Sequence, residues 1–196
     1  MGKVIVHISL TLDGVMQAPG RADEDTRGGF SHGGWASPYF HPVMAKAAGE
    51  AMASATPSAL LFGRRTYEDF FKVWPGRTDN PFTKVLDAQQ KYVASTTLTE
   101  PLPWVNSTLL QGDGAAAVAR LKAEGERDFT VLGSGDFVQS LMRHDLVDEW
   151  RLLIHPLVLG TGRRLFPDGA PLAKLTLADT ESTPTGVIIA TYRPAA

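Results

Sequence analysis

The chain of 196 residues contains no cysteine. Disulfides, iron–sulfur clusters, thiol catalysis and cysteine-ligated zinc are therefore excluded. No apolar run approaches the roughly 20 residues needed to span a bilayer. The opening MGKVIVHISLTLDG alternates, breaks at a polar pair and lacks a small-residue cleavage pattern, so it reads as a first strand and not as a leader. A cytoplasmic location is the expectation. Charge of one sign is lacking too: 19 Lys and Arg against 21 Asp and Glu leave a net charge of −2, which suggests no nucleic-acid or membrane partner. The histidines, at positions 7, 32, 41, 144 and 155, fit no H-E-x-x-H or comparable ligand spacing, so no metal site is expected. The sequence GSG lacks the G-x-S-x-G elbow of a serine hydrolase.

What is present is an ordinary globular composition, 43% hydrophobic and 20% charged, in a chain most simply read as a single domain over residues 1–196. A chain of this size buries roughly 70% of its unfolded surface. Strands are predicted at Val4–Leu10, Ser58–Phe62, Lys91–Ser95, Trp104–Ser107, Phe129–Leu132 and Val147–Val158. Helices are predicted from Pro42 to Ala55, closed by Thr56-Pro57, and from Thr66 to Val73. Others follow Asn80-Pro81, follow the cap Asp113 up to Gly125, and run from Asp136 to His144. Lys174–Thr180 and Val187–Tyr192 read as a terminal hairpin around TPTG. Alternating strands and helices that turn antiparallel at the end give an α/β class with a mainly parallel sheet. The stretch from Val15 to Pro38 is dense in glycine yet carries Phe30 and Trp35, with Tyr39 just beyond, which favours a ligand-covering loop over a free linker.

Three strand-to-helix junctions hold glycine-rich or polar residues: Gly63-Arg64-Arg65-Thr66, Ser95-Thr96-Thr97 and Gly133-Ser134-Gly135. In open α/β sheets ligands bind beyond the carboxyl ends of the strands, where such junctions lie. Around the third, Leu132 to Phe137, small residues let the backbone approach a phosphate at a helix start, although the dinucleotide fingerprint is incomplete and a tight turn uses the same glycines. Arginine offers a planar fork suited to phosphate. Arg64 and Arg65 are either solvated, paired with Glu68 and Asp69, or bound to an anion; three such junctions together favour the ligand. No acid/base pair announces itself. Asp13 precedes Gly14 in a strong turn pattern, and Glu50 lies on the flank of the alanine-rich helix within pairing reach of Lys46. Both are candidates for a proton-handling or substrate-orienting role. His32 and His41 are the histidines placed to touch a substrate.

GRRTYE after an apolar strand, VLGSGDF before a helix, and LVDEWRLLIHPLVLGTGRRLFPDG resemble the dihydrofolate-reductase-like superfamily. Within it the chain is most similar to the branch containing the C-terminal reductase domain of the riboflavin-biosynthesis deaminase-reductase (the RibD C-terminal domain family). SLTLDGVMQAPG and GGFSHGGW are similar to its stand-alone bacterial members. The resemblance implies a reductase that binds NADPH along the carboxyl edge of the sheet. Gly63, Arg64, Arg65 and Thr66 would then hold the 2′-phosphate and pyrophosphate, and Ser95 and Thr96 the adenosine side. Leu132, Gly133, Ser134, Gly135, Asp136 and Phe137 would pass under the pyrophosphate. Val15, Met16 and Gln17 would flank the nicotinamide, while Phe30, Trp35 and Tyr39 would close over a flat heterocyclic substrate of pyrimidine or pterin type. The deaminase sequences H-x-E and P-C-x-x-C are absent, so the resemblance covers the reductase half alone. It also implies a homodimer; the apolar stretch from Trp150 to Ile154 reads either as its interface or as a core strand.

Overall fold

The computed structural model describes residues 2–52, 58–80, 82–125 and 127–195, the side chains of residues 50–52 excepted. Along the chain come β1 (Val4–Thr11), α1 (Pro42–Met52), β2 (Ser58–Gly63), α2 (Arg64–Val73), α3 (Phe82–Ala88), β3 (Gln90–Ser95) and β4 (Ser107–Gln111). They are followed by α4 (Gly114–Glu124), β5 (Asp128–Leu132), α5 (Gly135–Arg143), β6 (Glu149–His155), β7 (Leu175–Ser182) and β8 (Ile188–Pro194). The chain divides into two compact units, Met1–Val4 with Ser54–Leu146, and Ile5–Ala53 with Val147–Ala196. The class is mixed α/β, with mostly parallel strands and a C-terminal antiparallel hairpin.

In the first unit the strand order is β4-β3-β2-β5, every pair parallel. Ala59, Leu60, Leu61 and Phe62 are all fully buried, as expected of a parallel strand covered on both faces. The side chain of Asp113 accepts from the amides of Ala115 and Ala116 at the start of α4, and Gly125 ends the helix in the left-handed region at φ 77°. Asn80 Oδ1 accepts from the Phe82 amide, 2.9 Å, at the start of α3; the Pro81 expectation and the Thr56-Pro57 helix stop lie outside the described residues. The predicted strand at Trp104–Ser107 is displaced to Ser107–Gln111. Trp104 is instead a buried turn residue whose amide donates to Tyr67 Oη, 3.0 Å, and whose indole donates to Asp87 Oδ1, 2.6 Å. Its apolarity reflects tertiary packing against α2 and not strand pairing.

In the second unit β1 pairs parallel with β6, and β6 continues antiparallel to β8 and then β7. One face carries α1, with Met44 packed on Leu153, Val187 and Ile189. The long strand expected to reach Val158 stops at His155, because Pro156 has no amide to continue the ladder. β6 has a strand on each side, and Trp150, Leu152 and Leu153 are buried within the unit. The stretch proposed as an interface is therefore core. No helix among the described residues is long and apolar enough to cross a membrane.

Candidate functional site

The junctions at the carboxyl ends of β2 and β5 interlock in the first unit. The Gly63 amide donates to Ser134 Oγ, 2.9 Å, and the Ser134 amide donates to Thr66 Oγ1, 3.0 Å. Gly133 at φ 62° and Ser134 at φ 60° both take left-handed backbone to turn the chain into α5. A Cβ on Gly63 would stand in van der Waals contact with the Phe137 and Ser134 side chains, at 3.4 and 3.6 Å, so the two helix starts are closely packed. Helices α2 and α5 thus begin side by side, each with first-turn amides that have no acceptor within their own helix. The β2–β5 boundary is also where chain order reverses in this unit, since β2 leads to β3 on one side and has β5 on the other.

The arginine pair divides in role. Arg64 meets Glu68 one turn along α2 at 3.0 Å. Arg65, with 57% of its side chain exposed, reaches Asp136 of α5 only at 3.7 Å. Leu132 and Phe137 are buried, so their side chains brace the turn from below. The third junction is built differently: Ser95 Oγ accepts from the amides of Thr97, 3.1 Å, and Leu98, 3.0 Å, closing its own turn, and Thr96 is exposed. Gly114 is the residue the sequence reading missed. A Cβ there would lie 2.7 Å from the Ala94 side chain and 3.1 Å from the Phe137 ring, so α4 starts hard against the same strand ends. The spacing Gly112-Asp113-Gly114 before a helix was the available sign.

The second unit holds the long loop. Val15, Phe30 and Trp35 bury one another with Ala18, forming the loop's own core. Gln17 is the fastener: its Nε2 donates to the carbonyls of Asp25, 3.0 Å, and Arg27, 2.9 Å, its Oε1 accepts from the Arg163 amide, 3.0 Å, and its carbonyl accepts from the Trp35 indole, 2.7 Å. The Met16 amide donates to the Arg163 carbonyl, 2.9 Å. These side chains were expected to face cofactor and substrate; in this unit they hold the loop shut upon itself. The rings of Trp35 and Tyr39 pack edge-to-face on His155, with centroids 5.1 and 5.8 Å away. His155 Nδ1 lies 3.0 Å from the Leu153 carbonyl, so it carries the proton; burial holds the imidazole below its usual range and neutral.

A cavity of about 240 Å³ lies beside this loop, lined by Ser9, Pro19, Gly20, Ala36, Ser37, Phe40 and Met44. None of these side chains is charged, and among the described residues α1 contributes Met44. The side chain of Glu50 lies outside the described residues.

Residues 2–189 match the RibD C-terminal domain. The chain belongs to that family. Among curated proteins it is similar to the uncharacterized protein YyaP of Bacillus subtilis (strain 168), 29% identical over 68% of this chain and 72% of that one. It is likewise similar to the uncharacterized protein YwjB of the same organism, 30% identical over 64% of this chain and 68% of that one. Its fold is that of a putative riboflavin biosynthesis protein from Shewanella sp. PV-4, with a TM-score of 0.74 and 23% identity over 99% of each chain. A pyrimidine reductase-like protein from Corynebacterium diphtheriae also shares the fold, with a TM-score of 0.66 and 14% identity over 100% of this chain and 92% of that one.

In this RibD C-terminal domain Asp13 has an anchoring geometry. Its carboxylate accepts from Thr11 Oγ1, 2.6 Å, and from the amides of Leu159, 3.2 Å, and Gly160, 2.8 Å. The Thr11 hydrogen bond first, then those amides, hold its pKa at about 2. Such a group has no proton to give at neutral pH, so the structure speaks against Asp13 as an acid and for it as a tie between two loops. Because its folded pKa lies below the ordinary 3.8, its stabilising contribution is full above pH 3.8 and is lost as pH falls toward about 2. Asp13→Asn, which sets an amide N–H against the Gly160 N–H, is expected to lower the thermal midpoint at neutral pH, with the gap to wild type closing over that acid window. Equal midpoints at pH 7 would refute the anchoring role.

Proposed function

We propose that this RibD C-terminal domain is an NADPH-dependent reductase acting on a C=N or C=O bond of a small heterocycle of pyrimidine or pterin type. The interlocked starts of α2 and α5 carry the reading: Gly63 and Ser134 tie the two turns together, first-turn amides converge, and Arg65 stands exposed beside them. That set fits the phosphates of a dinucleotide. NADPH, when bound, supplies the hydride. The chain contributes the rest: Gly63, Ser134 and Thr66 tie the two helix starts together, the first-turn amides of α2 and α5 face the pyrophosphate, and Arg65 reads the 2′-phosphate that separates NADP from NAD. The uncharged cavity at Ser9 and Met44 suits a flat neutral ring.

Fluorescence titration with NADPH and NADH tests the cofactor assignment. Arg65→Ala is expected to weaken NADPH roughly tenfold or more while leaving NADH nearly unchanged, since a charge-assisted pair is lost only with the phosphorylated cofactor. Arg64→Ala should do less, Glu68 being its partner. If neither variant changes the preference for NADPH, the reading fails. Anaerobic NADPH oxidation against dihydrofolate, a ribosylaminouracil and simple carbonyls then identifies the substrate class. No consumption with any of them would favour a non-catalytic NADP-binding sensor.

A further inference from the structure

Strand β1 runs through the second unit from Ile5 and is buried along its length except at two positions, His7 and Ser9, which are partly exposed. Side chains alternate between the faces of a strand, so these two share one face and stand roughly 6–7 Å apart. Ser9 lines the apolar cavity together with Met44, and its register partner Leu153 packs against Met44, so this is the face that α1 covers. His7 is the next side chain along the floor of that cavity. Its own register partner is Arg151, whose Nε donates to Glu149, 2.8 Å. His7 Nδ1 is closed to solvent and has no hydrogen-bond partner among the described residues. Burial first, and then the charge of Arg151, push the pKa of the imidazole down to about 4, so it is neutral at pH 7. A buried N–H without an acceptor is rarer than a buried acceptor without a donor, which leaves the lone pair on Nδ1 and the proton on Nε2.

We propose that His7 is a specificity-determining residue, its Nε2–H donating to a ring carbonyl oxygen of a flat heterocycle seated over Ser9. The proposal rests on the reading of this cavity as the seat of the ring. Alternate positions of one strand span about the width of a six-membered ring with its substituents, so a ring held at Ser9 reaches His7. The cavity lining supplies only the hydroxyls of Ser9 and Ser37 as polar side-chain groups, so a neutral donor at its edge selects an oxo-substituted ring over the same ring without oxygen. Ring binding requires neither NADPH nor turnover.

The experiment is titration of the whole protein, without NADPH, by uracil and by pyrimidine, the same ring without oxygen, followed through the NMR signals of the histidine ring nitrogens. The His7 signals are those lost in His7→Phe or His7→Gln. Uracil is expected to bind saturably, to shift the His7 signals, and to bind roughly tenfold or more tighter than pyrimidine. His7→Phe keeps a flat ring and removes the donor, so uracil should fall to the affinity of pyrimidine while pyrimidine itself is unaffected, and the thermal midpoint should not drop. His7→Gln, which presents an amide N–H, should recover part of the preference. The proposal is overturned if uracil does not bind saturably, binds no tighter than pyrimidine, or binds wild type and His7→Phe alike. A uracil complex in which the His7 signals stay in place overturns it as well. The reductase reading fails separately: an unchanged NADPH preference in Arg64→Ala and Arg65→Ala removes the cofactor assignment and leaves ring binding intact. NADPH oxidation with simple carbonyls but no uracil binding removes the role of His7 and leaves the reductase.

Discussion

Lys91→Ala is expected to destabilise the protein by about 3–5 kcal/mol, lowering its thermal midpoint on the order of 10 °C. Lys91 lies in β3 and is fully buried. Its Nζ donates to the carbonyls of Gln89, 2.7 Å, and Val105, 3.0 Å, with Asp87 O at 3.5 Å, and it stands 4.8 Å from the centre of the Trp104 ring. Two of those carbonyls belong to the end of α3, where the helix has no amides of its own to offer. Alanine would take this donor from the Gln89 and Val105 carbonyls, while Asp87 O keeps Asn106 Nδ2 at 2.9 Å, and would open a cavity beside Trp104. Lys91→Met keeps most of the volume and isolates the loss of the donors. Burial pushes the amine down from 10.5 to about 8, against the opposing charge of Asp87. Over that window the unfolded chain binds the extra proton, so wild type gains stability relative to Lys91→Met as pH rises, by about 3 kcal/mol in all. Unfolding curves at pH 7 and above pH 10 measure both effects. A midpoint for Lys91→Ala within a degree or two of wild type would sink the account.

Gln17→Ala is expected to open the long loop without unfolding the second unit. Three side-chain hydrogen bonds disappear, those to the Asp25 and Arg27 carbonyls and the one from the Arg163 amide. At about 1 kcal/mol each, the closed loop loses about 3 kcal/mol, which raises its open population roughly 100-fold. Trypsin should cleave after Arg21 or Arg27 faster by about that factor, and Trp35, freed from the Gln17 carbonyl, should emit at longer wavelength. Turnover by the proposed reductase should fall with it, since the loop forms one wall of the apolar cavity. Gln17→Glu keeps the acceptor for Arg163 but faces two carbonyls, so it should open the loop as well. Unchanged cleavage rates in both variants would show that the hydrophobic cluster alone holds the loop closed.

Much of the cradle was legible because its determinants are local. A glycine after a buried strand, a threonine in the next helical turn and a G-S-G turn are short-range requirements of two strand-to-helix junctions that close on each other. The pairing of Arg64 with Glu68 was legible for the same reason, being a single helical turn. The seryl junction was not. Whether Ser95 Oγ turns outward to a ligand or back onto Thr97 and Leu98 depends on the path of the following chain.

The loop from Val15 to Tyr39 shows the other limit. Its composition marked it as a folded element, but aromatic rings in a glycine-rich segment face a ligand or one another with equal ease. The choice was made by partners far along the chain, among them Leu157, Leu159 and the Arg163 amide. The same holds for Asp13, whose anchors Leu159 and Gly160 decide that it is an anion and not an acid.

The sequence by itself determined the α/β class, most strand and helix positions and the twin junctions of α2 and α5, because periodicity, caps and turn residues act over a few positions. Only the tertiary structure decided that Arg65 and not Arg64 stands open beside Asp136 and that the loop aromatics are core. Those outcomes depend on contacts between residues remote in sequence, and no local pattern specifies which distant group will arrive.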